Sequence, residues 1–143
     1  MTIKRVALLL TAIAAAGGCA ARVPSPEPVP VDRAECAYCR MLISTDRGAA
    51  EVVPADGDTR FYDDVGCLAA DWRAHAASAR AFVRTYSGPW VDAASAVYAK
   101  PPGARTAMGS GFVAFATAAD AQASSAGGVM TFDQVLQSGG AGQ

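Results

Sequence analysis

Along residues 49–87 the apolar positions fall in two short β-prone runs, then at helical spacing, then in a run again, an order that predicts hairpin, helix and strand. In AAEVVPADGDTRFY the two runs flank Asp56-Gly57, a pair favoured in tight hairpin turns. In DDVGCLAADWRAHAASAR, Val65, Leu68, Trp72 and Ala76 recur along one face. Asp63 and Asp64 stand ahead of them as capping or first-turn acids, so a helix is expected. AFVRTYS reads as a strand, GPW as a turn, and VDAASAVYAK as a further extended segment stopped by PPG. TAMGSGFVAFA is loosened by glycine at its start and β-prone at its end. TAADAQASSAGG places Thr117 three residues before Asp120, an acidic variant of a capping box, and Gly127 and Gly128 close a short helix. VMTFDQVL then leads into a Gly-rich tail over 138–143 that is expected to fray. The pattern predicts a single small α+β domain over residues 35–137. Hairpin, helix and strand occur in residues 49–87 and, less cleanly, again in 91–132.

The pattern is different at the start of the chain. Lys4 and Arg5 precede a largely apolar run over residues 6–16, followed by small residues. That is the order of a secretory signal, here residues 1–18, and the run is too short to span a bilayer as a helix. AAGGC resembles a bacterial lipobox with Cys19 as the lipidated residue, although Ala16 stands where Leu is usual. ARVPSPEPVPVDRAE then reads as a Pro-rich tether over residues 19–34. The expected location is the periplasm, on a membrane through a lipid anchor, with Ala20 after Cys19 leaning towards the outer membrane.

Charge narrows the function classes. Twelve Lys and Arg against thirteen Asp and Glu leave a net charge of −1, with no basic patch, so nucleic acid is not an expected partner. No acid/base pair, nucleophile elbow or phosphate-binding glycine loop is present, which argues for a binding protein rather than an enzyme.

The cysteines carry the chemistry. With Cys19 assigned to lipid, the body holds Cys36, Cys39 and Cys67, an odd number in a compartment that favours disulfides. ECAYCRM admits several readings. A redox CxxC works best after a strand at a helix N-terminus, and here it follows the tether. Structural zinc needs four ligands, usually as two close pairs, and the second pair is missing. The lone histidine, His75, reads as an exposed helix residue. A Cys36–Cys39 disulfide would leave Met41 unexplained. A soft-metal site uses thiolate and thioether together, which select Cu(I). In an extended segment Cys39 and Met41 emerge on one face and can close on one ion. Met108, beside glycines in TAMGSG, is a second candidate thioether, whereas Met130 reads as a core residue.

CAYCRM, FYDDVGC, WVDAASAVY, AMGSGFVAF and TFDQV, in this order and at these distances, resemble the NosL family. Its members are periplasmic lipid-anchored copper chaperones that deliver Cu(I) to nitrous oxide reductase, an enzyme of denitrification, for building its copper-sulfide centre. The resemblance covers nearly all of residues 35–136. It implies that Cys39 and Met41 belong to a Cu(I) site, that Met108 completes it, and that Cys36 matches the first cysteine of members with CxxCxM. It implies as recipient nitrous oxide reductase or another periplasmic copper enzyme. It also implies a fold similar to organomercurial lyase, built from two β-β-α-β units. This chain departs at Ser110, where several members carry histidine after Met-Gly, and Cys67 is a candidate to compensate. Two other classes remain: a thiol-disulfide oxidoreductase of the cell envelope, and a lyase acting on organometals with several thiols and Asp63 or Asp64 in one pocket.

Overall fold

The computed structural model describes residues 24–76 and 79–139, so the signal segment, Cys19 and residues 140–143 lie outside the described residues. At the centre is β1 (Ala50–Pro54), whose first four residues are all buried, as a strand covered on both faces must be. It pairs antiparallel with β2 (Arg60–Tyr62), with Ala50 opposite Tyr62 and Val52 opposite Arg60. The hairpin bends at the Asp56-Gly57 position expected from sequence, where Gly57 takes a φ of +97°.

Helix α1 (Val65–Asp71) follows, with Asp64 as its N-cap accepting a hydrogen bond from the Gly66 N–H at 2.6 Å. The helical pattern expected to reach Ala76 ends sooner: a 3-10 turn takes over at Trp72–Ala74. Asp71 ties the end of α1 to the sheet, because its carboxylate accepts from Tyr62 Oη at 2.7 Å and Arg60 Nη2 at 2.8 Å. Strand β3 (Ala79–Arg84) returns on the other side of β1, and β4 (Trp90–Asp92) pairs with β3, giving the order β2-β1-β3-β4.

The segment expected to be one extended run is divided. Asp92 Oδ1 accepts from the Ala94 N–H at 2.9 Å, a side-chain turn that separates β4 from β5 (Val97–Ala99). Strand β5 pairs with β6 (Val113–Phe115) in a second sheet, and α2 (Ala118–Ser124) follows with Thr117 as N-cap and Asp120 as its partner, as expected. Met130 then bridges Tyr98 on the free side of β5. The order β5-β6-α2-Met130 therefore repeats β1-β2-α1-β3, so the second unit begins after β4 rather than at residue 91. Met130 is half-buried against the core, as expected.

The chain end holds an element that the apolar pattern did not announce, α3 (Phe132–Gly139). Thr131 and Gln134 form its capping box, with Thr131 N–H donating to Gln134 Oε1 at 2.8 Å. Phe132 brings it onto the core, stacked on Tyr98 at 5.9 Å and edge-on to Trp72 at 5.8 Å.

At the other end, the Pro-rich segment is docked rather than free from Glu27 onward. Asp32 N–H donates to Ile43 O at 2.8 Å, and Glu27 N–H donates to Glu51 Oε1 at 3.0 Å. Glu51 lies wholly buried in β1, and burial pushes its carboxyl up to about 7. A raised carboxyl stabilises the fold while protonated, so its contribution is complete below the ordinary value of 4.5 and is lost as pH rises towards 7. Glu51→Gln is accordingly expected to gain roughly 2 kcal/mol relative to the parent between about pH 5 and 8. Urea melts across that range measure it; a difference independent of pH would contradict this ionisation.

Candidate metal centre

ECAYCRM is a closed loop. Cys36 N–H donates to Met41 O at 2.8 Å, Arg40 N–H donates to Cys36 O at 3.0 Å, and Glu35 bridges Leu42 at the neck. Ala37 N–H donates to Phe61 O at 2.8 Å and ties the loop to β2. Closing it puts Arg40 in the left-handed region at φ +66°, a conformation that costs a non-glycine residue about 1–2 kcal/mol. The premise of an extended Cys39–Met41 segment is thereby corrected. Cys36 is buried and Cys39 half-buried against the core, while Met41 is 55% exposed.

Helix α1 supplies the next donor. Cys67 is buried in its first turn, and Asp63 is buried at the junction of β2 and α1. The three Sγ atoms of Cys36, Cys39 and Cys67 and one Asp63 carboxylate oxygen all lie within 4.8 Å of one another. A tetrahedral ion with metal–sulfur bonds of about 2.3 Å holds its donors roughly 3.8 Å apart, so modest side-chain rotation closes the set. The four-donor set that the zinc reading lacked in sequence is thus present in space.

The protons are unevenly held. The neighbouring Cys67 thiol, with backbone N–H groups of Cys39, Asp63 and Tyr38, lowers the Cys36 thiol to about 6 against the opposing effect of burial. The Cys67 thiol is correspondingly pushed up, by its Cys36 neighbour and by burial, and burial also raises Cys39. Cys39 Sγ donates to Asp63 at 3.6 Å. Cys36 is thus the thiol most readily deprotonated, and an arriving soft cation displaces the protons held by the others.

Asp63 and Asp64, adjacent and read together as a helix start, do different work. Asp64 alone is the cap; Asp63 faces the thiols. Asp64 also accepts from Met108 N–H at 3.0 Å and from the Ser110 hydroxyl, which ties the β5–β6 loop to the rim of the cluster. Met108 itself is 40% exposed. Gly66 makes this junction possible, because a Cβ there would meet Ser110 Cβ at 2.6 Å. His75, expected on an exposed helical face, is instead half-buried at the end of the 3-10 turn, 3.4 Å from Asp71 and outside the four-donor set. Cys67 is the candidate to compensate at Ser110, signalled by the odd thiol count, and Asp63 meets the thiols as the lyase alternative expects, while the sequence does not separate it from Asp64.

The family model described as NosL matches residues 28–139. No curated protein sequence matches the chain. Among solved structures, the chain is similar to the crystal structure of the copper chaperone NosL from Shewanella denitrificans. The TM-score is 0.62 at 18% identity, covering 81% of this chain and 99% of that one, a likeness of fold.

Proposed function

The chain belongs to the NosL family, and from that premise we propose that it is a carrier that binds Cu(I) as cargo and passes it to a copper enzyme outside the cytoplasm. The observation that carries this reading is the convergence of three thiols and one carboxylate within 4.8 Å. Sulfur donors of this kind prefer a soft monovalent ion, and a small three-sulfur set leaves an approach open to an incoming ligand. The Shewanella denitrificans protein of similar fold is a copper chaperone, which supports the same cargo.

Exposure suggests the route. Met41 and Met108 stand outermost, Cys39 is half-buried, and Cys36 and Cys67 are innermost. We assign the two thioethers to the entry and exit of copper, since a neutral thioether is displaced more easily than a thiolate, and the buried thiolates to its retention. The recipient is nitrous oxide reductase or a related periplasmic copper enzyme. The leader and AAGGC support export, lipidation at Cys19 and anchoring at the periplasmic face of the outer membrane.

A thiol oxidoreductase fits the geometry less well. The low-pKa thiol, Cys36, is buried, whereas the more accessible Cys39 has its thiol raised, the reverse of what an attacking CxxC requires. Asp63 beside three thiols does favour one second reading, a lyase that protonates the carbon of a metal–carbon bond. Release of methane from methylmercury in the presence of excess thiol would move the assignment there.

The deciding experiment is an anaerobic Cu(I) titration of the reduced full chain in detergent, against a competing chelator. One Cu(I) per chain is expected, with Met41→Ala and Met108→Ala each slowing transfer to the chelator about 10-fold while the affinity stays within about threefold of the parent. Failure to compete for Cu(I), or stronger retention of Zn(II), would overturn the carrier reading.

A further inference from the structure

Beside the thiol cluster lies a cavity of about 550 Å³ that none of the copper chemistry uses. Asp63 forms part of its wall, so it adjoins the metal centre, but the rest of its lining has another character. Arg47, Arg84 and Arg105 converge on it from three separate segments. Arg84 Nη2 is neutralised by Asp46 at 2.7 Å, yet its Nε is buried without a hydrogen-bond partner among the described residues. Arg47 and Arg105 are exposed, and Arg47 lies over the Tyr86 ring at 4.7 Å. Phe112 supplies an apolar wall.

We propose that this cavity is a binding site for a small organic anion, its acidic group held by the Arg47 and Arg105 guanidiniums and its apolar body against Phe112 and Tyr86. Guanidinium forks match carboxylate oxygens two by two, which favours a carboxylate over a neutral ligand of the same shape. The volume lies within the range of small-molecule sites, about 300–1,000 Å³. The site is independent of the copper reading, because it needs none of the thiols.

Benzoate tests it, with benzamide as its neutral isostere, on the reduced, metal-free full chain in detergent followed by NMR. Saturable shifts centred on Phe112 and the arginine side chains are expected for benzoate, with a dissociation constant of about 1 mM or tighter. Benzamide should bind at least about 10-fold more weakly, and Arg47→Gln combined with Arg105→Gln should weaken benzoate to a similar degree. Both arginines lie on exposed positions, so the variant keeps its core. The pair Arg33→Gln and Arg73→Gln, outside the cavity, should leave benzoate binding unchanged. Equal binding of benzoate and benzamide, or equal loss in the two arginine pairs, would overturn the proposal. So would tighter binding of an acetylated triglutamate peptide with shifts beyond the cavity, which would transfer the site to a protein partner. No metal is present in these measurements, so their failure is separate from failure of the copper titration.

Discussion

Cys67→Ser is expected to lower Cu(I) affinity by about 1,000-fold, on the order of 4 kcal/mol, as large a loss as Cys36→Ser. Serine offers a hard, neutral hydroxyl where a thiolate would form, and the remaining donors cannot move far inside a packed core. The Cys36 and Cys67 thiols lie within 4.8 Å of one another and each shifts the other's acidity, so removing either leaves the other with a changed neighbour as well as one ligand fewer. Asp63→Asn should cost less, about 10-fold, since it removes charge but keeps an oxygen at the cluster. Chelator competition on each variant, beside thermal melts that verify folding, decides the matter. A Cys67→Ser protein that stays within about threefold of the parent while folded would remove the helix from the copper site and leave the loop cysteines alone.

The second large effect is structural. Asp64→Ala is expected to destabilise the domain by about 3–5 kcal/mol, adding the loss of an N-cap to orphaned donors at Met108 N–H and the Ser110 hydroxyl. At 1% exposure, water has little access to replace the carboxylate. Asp64→Asn should fall between the two, because it keeps a capping oxygen but turns an amide group towards the Met108 N–H or Ser110. Denaturant melts give the free energies, and backbone NMR of the Met108 loop shows whether its anchorage goes with them. A loss below about 0.5 kcal/mol, the scale of an ordinary surface change, would mean that neither the cap nor the loop depends on this side chain.

This same carboxylate marks the boundary of what could be read from the chain. The capping role of an acid before an apolar helical face is a local signal, and so are the Asp56-Gly57 turn and the Thr117–Asp120 box. All three were legible. The capping box of α3 was equally local, in TFDQ, but the short apolar content of the segment did not draw attention to it. Helix length was not legible: the pattern ran on to Ala76, whereas α1 gives way to a 3-10 turn after Asp71, the residue that Tyr62 and Arg60 of β2 hold against the sheet.

The sequence by itself determined the signal-like order of the leader, the α+β order, the first hairpin-helix-strand unit, the CxxCxM spacing and the resemblance to the family. Each follows from neighbours along the chain: apolar period, turn chemistry, residue spacing. Only the tertiary structure decided which donors meet. Cys36 and Cys67 are 31 positions apart in the chain, and what joins them is the docking of α1 against the sheet whose edge holds the cysteine loop. Arg40 turned Met41 outward by adopting a left-handed backbone that no periodicity encodes. Asp63 became part of the cluster, and Asp64 its structural neighbour, because consecutive side chains at a strand-to-helix junction diverge; which of the two faces the thiols is set by the packing around them.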